Sequence, residues 1–301
     1  MAKVLITGGT GLVGKHLSEK LKEKGYSVVI LSRKKNVDAE ISTYSWDLEK
    51  KEIEAGALDS VDYIINLAGA NIGEKRWTAK RKKQIIDSRI KSSGLIYDNI
   101  KPNKIKPKAF ISASAIGYYG AIISEKAFYE TDLPASDFLG ETCRLWEQSA
   151  DKFENSGMRV VKIRTGVVLA EKGGVLSKMI VPVKLGFGSA IGSGKQYMPW
   201  IHIDDLCSIY IKAIEDIQMS GAYNAVAPQH TTNVEFTRTL ANVLKKPFWF
   251  PAIPAFMLKI IFGEMSEMLL RGSRVSSEKI IIAGYKFKFS NLQAALTDLL
   301  R

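Results

Sequence analysis

The chain has 301 residues, 46% hydrophobic and 25% charged, with a mean hydropathy near zero and a net charge of +12. This is ordinary globular composition, long enough for one large domain or a domain plus a lobe and for a core that needs no staple. Two cysteines, Cys143 and Cys207, and three histidines, His16, His202 and His230, without CxxC or HxxxH spacing, argue against a disulfide scaffold and against a metal site.

No secretory leader is visible. Val4-Leu5-Ile6 is too short for a signal-peptide core and runs straight into glycines. No stretch approaches the ~18 uninterrupted apolar residues needed to cross a bilayer. Residues 248–262 are the greasiest, but Pro251, Pro254 and Lys259 interrupt them. The expectation is a cytoplasmic protein without a membrane span. The densest basic run, residues 75–83, reads as a solvated helix face or as steering for a phosphorylated cofactor or acidic substrate. No nucleic-acid partner is expected, because no stacking motif or nucleic-acid fold accompanies the charge.

In chain order, residues 4–7 form a short buried strand closed by glycine. Val13, Leu17 and Leu21 then recur at helical spacing until Gly25 stops the helix. Further strands are predicted at 28–31, near 42–45, and at 61–66, 108–112 and 159–163. Helices are predicted over about 78–100 and 138–156, with Cys143 and Cys207 each inside a helix. Such alternation implies a parallel sheet with helices on both faces, a Rossmann-type doubly wound α/β fold. Glycines crowd residues 166–194, which predicts loops folded over something. One helix begins near Asp204, and another follows Thr232, which has capping-box spacing to Glu235. From Pro247 onward a helical tail is expected. The predicted division is residues 1–246 as a dinucleotide-binding domain with its substrate-side segments, and 247–301 as a small, mostly helical C-terminal lobe.

The run Gly8-Gly9-Thr10-Gly11-Leu12-Val13-Gly14 follows a strand and opens a helix. Gly8 permits the tight turn, Gly11 lets the backbone approach a diphosphate, and Gly14 allows close helix–strand contact. The helix start adds unpaired N–H groups and the positive end of a dipole. An NAD site usually carries Asp or Glu at the end of the second strand. This chain has Ser32-Arg33-Lys34-Lys35 instead. A 2′-phosphate favours a guanidinium fork with a hydroxyl donor and repels carboxylates. The expected cofactor is therefore NADP(H), held by Ser32 and Arg33; Lys34 and Lys35 are either helpers or solvated surface.

Several runs carry a resemblance. They are Ile6-Thr7-Gly8-Gly9-Thr10-Gly11, Asn66-Leu67-Ala68-Gly69-Ala70-Asn71-Ile72, Ser112-Ala113-Ser114-Ala115-Ile116-Gly117-Tyr118-Tyr119-Gly120, Arg164-Thr165-Gly166-Val167-Val168-Leu169 and Pro199-Trp200-Ile201-His202-Ile203-Asp204-Asp205-Leu206. Over nearly its whole length the chain resembles the extended short-chain dehydrogenase/reductase superfamily, within it the atypical epimerase-like branch often called SDR39U1-like. Gly263-Glu264, Leu269-Leu270, Gly284-Tyr285 and Phe287-Lys288-Phe289 look like that branch's small C-terminal domain. The resemblance implies that Leu67, Ala68 and Gly69 line the ribose and diphosphate, and that Gln84 and Arg89 reach the cofactor. It also implies that Val168 touches the nicotinamide end and that Trp200 and His202 close the substrate side. Asp47 is placed either to accept from the adenine amino group or as a surface carboxylate, and His202 reads first as a hydrogen-bonded structural histidine.

Reductases of this superfamily use a Tyr-x-x-x-Lys pair, in which the ammonium lowers the phenol's pKa, and a Ser or Thr that orients the carbonyl. Ser114 fits the orienting role. The pair is missing: the helix reads Asp137-Phe138-Leu139-Gly140-Glu141-Thr142-Cys143-Arg144-Leu145-Trp146-Glu147. Tyr118 and Tyr119 are the alternative phenols, or packing aromatics. Two functions follow as expectations. One is an NADP-dependent oxidoreductase or epimerase-like enzyme acting on a carbonyl- or sugar-like small molecule. The other is a catalytically silent NADP(H)-binding sensor or regulator.

Overall fold

A computed structural model describes residues 1–34, 41–100 and 106–301; Lys35 lies outside them. The elements run β1 (Lys3–Thr7), α1 (Leu12–Glu23), β2 (Ser27–Ser32), β3 (Ser42–Asp47), β4 (Glu52–Ile53), β5 (Tyr63–Asn66), α2 (Ala79–Ile100), β6 (Ala109–Ala115), β7 (Ile123–Phe128), α3 (Phe138–Asp151), β8 (Arg159–Thr165), β9 (Val167–Leu169), α4 (Gly174–Lys184), β10 (Trp200–His202), α5 (Ile203–Glu215), β11 (Gly221–Ala225), α6 (Asn233–Val243), α7 (Ala255–Phe262), α8 (Glu267–Leu270), β12 (Gly272–Val275), α9 (Glu278–Ile282) and α10 (Leu292–Leu299). The main sheet has the order β11-β8-β6-β5-β1-β2-β3-β4, parallel except for the short β3–β4 pair. Strand order reverses between β1 and β5, the switch point at which open α/β sheets bind ligands.

Period-two alternation divides β1 between the two helical layers. Val4 and Ile6 pack with Leu17 and Leu21 of α1 and with Ile209 of α5. Leu5 faces the other way, toward Ile96 of α2 and Phe153 beyond α3. Phe153 stacks on Phe110 of β6 at 3.7 Å between ring centroids. A third core joins α4, α6 and α10 around Trp200, Phe236 and Leu296. The capping box at Thr232 and Glu235 forms as its spacing requires, and both cysteines are buried inside helices.

One expectation is corrected. Residues 166–194 are not all loop: they hold β9 and the eleven-residue α4. Gly174 and Pro182 disguise this helix, although one opens it and the other lies in its last turn. The tail is mostly helical as expected, with α7 to α10, and adds one strand, β12, which pairs with β7 across more than a hundred residues. No helix among the described residues is long and apolar enough to cross a membrane.

Candidate functional site

The turn between β1 and α1 is built for close approach. Gly8 has φ +67°, and a Cβ there would stand 2.9 Å from the Leu67 backbone. A Cβ on Gly14 would meet the Gly8 carbonyl oxygen at 2.4 Å. Gly9 lies against Ile30, where a Cβ would come within 2.7 Å of its side chain. Gly11, the N-cap of α1, donates to the Gly8 carbonyl (3.0 Å) and has no side chain to cap the helix. The first-turn amides that follow, beginning with Leu12 and Val13, therefore lack intrahelical acceptors and face an exposed turn at Thr10 and Gly11.

Thr7 and Asn66, at matching ends of β1 and β5, fix the neighbouring loop. The Thr7 hydroxyl donates to Asn66 Oδ1 (2.6 Å) and accepts from the Ala68 N–H (3.1 Å). Beneath that loop Arg89 donates to the carbonyls of Ala70 (3.2 Å) and Ile85 (2.9 Å), with its guanidinium 4.7 Å from the Trp146 ring centroid. A Cβ on Gly69 would come within 3.1 Å of that guanidinium. Burial depresses the Arg89 pKa, and no carboxylate touches it among the described residues. A near-buried cation with only carbonyl partners is suited to a ligand anion. Gln84 is exposed one turn away and accepts from Arg81 (2.7 Å).

At the end of β2, Ser32 is half-buried and Arg33 and Lys34 are exposed, with the Lys34 N–H reaching Ser32 Oγ at 3.4 Å. Asp47 ends β3 and its Oδ1 accepts from the Glu49 and Lys50 amides; these bonds hold its carboxyl below the ordinary value. Val168 lies in β9. The turn after β9 returns to the glycine loop: a Cβ on Gly174 would come 3.3 Å from Leu12 and 3.6 Å from the Val168 carbonyl.

The carboxyl ends of β6 and β8 carry a different chemistry. Ser114 donates to Glu147 Oε1 (2.7 Å), and Arg164 grips both oxygens of that carboxylate, Nε to Oε1 at 2.8 Å and Nη2 to Oε2 at 2.9 Å. Arg164 Nη1 also reaches Tyr119 Oη (3.0 Å), which donates to Asn224 Oδ1 (2.7 Å). Asn224 in turn is held by Glu130 and by the Ser276 carbonyl. All five side chains, Ser114, Tyr119, Glu147, Arg164 and Asn224, are buried. Burial pushes the Tyr119 phenol up to about 12, only partly offset by Arg164. Burial works against the Arg164 charge, but Glu147 outweighs it and raises the Arg164 pKa. Tyr118 is half-buried, with its ring centroid 3.5 Å from the Arg164 guanidinium.

The helix that lacks Tyr-x-x-x-Lys fills its positions with packing groups. Phe138 meets Trp77 edge-on at 4.8 Å, and both belong with Leu139, Ile85 and Met265 to one apolar cluster. Burial drives the Cys143 thiol up to about 12, so it stays protonated.

The run Trp200–Asp205 includes a clasp at Asp204 and Asp205 that sequence reasoning missed. Trp200 is fully buried, its indole N–H 3.3 Å from Thr231 Oγ1. His202 is buried, accepts the Asp204 amide on Nδ1 (3.1 Å) as the N-cap of α5, and stacks on Phe289 at 3.9 Å. Burial lowers its pKa, which leaves the ring neutral. Burial would raise the Asp204 carboxyl, but His16 (2.7 Å), Lys20 (3.0 Å) and Lys288 (3.1 Å) together hold it well below the usual carboxylate range. Asp205 accepts from Tyr285 Oη (2.7 Å) and from the amides of Lys288 (2.8 Å) and Phe289 (2.9 Å). These polar groups pin the C-terminal segment onto α5 and α1. Glu147 and Arg164 were also missed; their only sequence signal is a pair of opposite charges in elements that pack together.

Comparison with known proteins agrees with this architecture. The profile described as NAD dependent epimerase/dehydratase family matches residues 4–226, and that of a domain of unknown function, DUF1731, matches 253–299. The epimerase family protein YfhF of Bacillus subtilis is 38% identical, covering 99% of this chain and 97% of its own. The epimerase family protein SDR39U1 of Bos taurus is 35% identical over 99% of both. The crystal structure of human epimerase family protein SDR39U1 (isoform 2) with NADPH superposes with a TM-score of 0.89 at 34% identity, covering 99% of this chain and 98% of that one. With its parallel sheet, its glycine turn at the switch point and these full-length likenesses, the chain belongs to the NAD dependent epimerase/dehydratase family, in the form that carries a C-terminal DUF1731 domain.

Proposed function

We propose that this protein binds NADP(H) at the β1/β5 switch point and uses it on a carbonyl- or sugar-like small molecule, as an oxidoreductase or epimerase-type enzyme. The observation that carries the reading is a turn at which Gly8 and Gly14 admit no Cβ, next to a β2 end that bears Ser32, Arg33 and Lys34 and no carboxylate. The fit is good elsewhere too. Gly8, Gly9, Thr10, Gly11, Leu12, Val13 and Gly14 offer backbone to the diphosphate, and Leu67, Ala68, Gly69 and Arg89 form the opposite wall. Ser32 and Arg33 take the 2′-phosphate; Asp47, Gln84 and Val168 border the remaining edges. Bound there, the cofactor supplies or accepts a hydride. The human relative that was crystallised with NADPH supports the choice of cofactor.

Titration with NADPH and NADH tests the binding half. NADPH should bind at least about tenfold more tightly, and Arg33→Ala should remove most of that margin. Equal affinities in the wild type would sink the proposal.

For turnover, Ser114 orients the substrate oxygen and a phenol moves the proton. Tyr118 is the better placed phenol, because Tyr119 is buried and already hydrogen-bonded on both sides. A second reading, a silent NADP(H)-binding sensor, draws on the commitment of Ser114 to Glu147 and on Phe138 and Leu139 in place of the usual tyrosine. NADPH oxidation against a carbonyl and nucleotide-sugar panel separates the two. A rate that falls in Tyr118→Phe supports the enzyme, and its absence with every substrate supports the sensor.

A further inference from the structure

The face built by the end of α4, residues 187–192, residues 247–254 and α7 is exposed, apolar and free of acid. It is one surface. Phe187 and Phe250 meet edge-on at 5.5 Å, as do Trp249 and Phe250 at 5.6 Å. The strips are joined by hydrogen bonds from Ser189 Oγ to the Pro251 carbonyl, from the Ile253 amide to the Ala190 carbonyl (2.8 Å) and from the Gly192 amide to the Ile253 carbonyl (2.9 Å). The exposures there are Leu185 67%, Phe187 54%, Trp249 69%, Phe256 64% and Ile260 71%. In α7 only Leu258 is buried. Scattered exposed apolar side chains are unremarkable, but adjacent ones on this scale mark a binding surface.

The charge around this face is mostly basic; the acids beside α7, Glu264 and Glu267, are paired with Lys82 and with Lys259 and Arg271. No Asp or Glu occurs between Glu171 and Asp204, or between Glu235 and Glu264. The same segments carry exposed Lys178, Lys184, Lys245 and Lys246. Lys178, Val181 and Leu185 recur along one side of α4, so cation and apolar groups share a stripe. None of the four lysines has an ion-pair partner among the described residues.

We infer that this face is an interfacial docking surface for an anionic lipid bilayer, with the aromatic and aliphatic groups entering the headgroup boundary and the lysines meeting lipid phosphates. Apolar residues that include Trp and Phe, beside unpaired Lys and acids already paired, match the chemistry of a bilayer interface. A second copy of the chain fits less well. A two-fold contact would set the same lysines against one another, and the nearby carboxylates Glu264 and Glu267 already have cation partners. Nucleic acid would leave the apolar groups without a partner.

The protein carries its own reporter. Of five tryptophans, Trp46, Trp77, Trp146 and Trp200 are at most 9% exposed, so Trp249 alone meets solvent. The full-length protein is mixed with vesicles of phosphatidylcholine alone or of phosphatidylcholine with phosphatidylglycerol. Binding to the anionic vesicles should be at least about tenfold stronger and should weaken between about 0.1 M and about 0.5 M salt. Trp249 emission should shift to the blue and be quenched by brominated lipid. K245E/K246E should lose about tenfold in binding, and F256S/I260S should lose the blue shift, with circular dichroism and melting temperature unchanged. Equal binding to both vesicle types, a Trp249 spectrum that does not respond, or lipid-free dimerisation abolished by F256S/I260S would each overturn the inference.

Discussion

The carboxyl ends of β1 and β2 and those of β6 and β8 lie in one sheet and treat their polar groups in opposite ways. On the first side the helix amides of α1 are uncapped, Arg33 and Lys34 are exposed, and Arg89 holds only carbonyls. On the second, Ser114, Glu147, Arg164, Tyr119 and Asn224 satisfy one another in a closed, buried chain of hydrogen bonds. Groups left unpaired are available to a ligand; groups already paired must give up a partner before they can act on one. Cofactor capture and chemical turnover therefore rest on different parts of the sheet and can be disturbed separately.

The strongest way to break the contrast is on the closed side. Arg164→Ala leaves the Glu147 carboxylate buried with only the Ser114 hydroxyl and no cation, and should cost about 3–5 kcal/mol in chemical denaturation. Replacing both partners, Glu147→Gln with Arg164→Met, should recover much of that loss; a double variant as unstable as the single one would mean that packing, not the orphaned charge, sets the cost. Next comes the tail. Asp205→Ala removes acceptors from Tyr285 and two backbone amides and should cost about 3 kcal/mol, while NADPH affinity measured on the folded fraction changes little.

On the open side, Gly14→Ala should weaken NADPH binding by roughly 100-fold, because its Cβ must displace the Gly8 carbonyl from the turn. Unaltered affinity would show that the diphosphate lies elsewhere. The smallest effect is a pH dependence. The Asp204 carboxyl is depressed in the folded state, so its contribution is complete above the ordinary carboxylate value near ~4 and is lost as pH falls through the lower, folded value. Asp204→Asn should therefore be less stable than the wild type at neutral pH, and the gap should narrow below about pH 4. A constant gap in acid titrations followed by circular dichroism would place the stabilisation in packing.

What the sequence reveals here is what is local. The glycine turn, the capping box at Thr232 and the strand–helix alternation each depend on residues within one or two turns of chain, and they appear where expected. The pairings that decide the chemistry are distant. Glu147 and Arg164 meet only after α3 packs on the sheet, and β12 finds β7 across the fold. The contacts around His202 are distant for a related reason: His202 caps α5, while Asp205 holds Tyr285 and Phe289, a contact spanning some eighty positions. The missing Tyr-x-x-x-Lys was legible as an absence, but not that Phe138 would turn toward Trp77.

The carboxylate pair at Asp204 and Asp205 also bears on how the protein is made. A ribosome delivers α1 before α5, and α5 some eighty residues before Lys288. Yet His16 and Lys20 from the beginning, and Tyr285, Lys288 and Phe289 from the end, converge on those two neighbouring residues. The helix that follows the glycine turn gains its final clasp only after residues 285–289 have been made. Nascent polypeptides stalled short of residue 285 should hold the sheet but remain open to protease at α5.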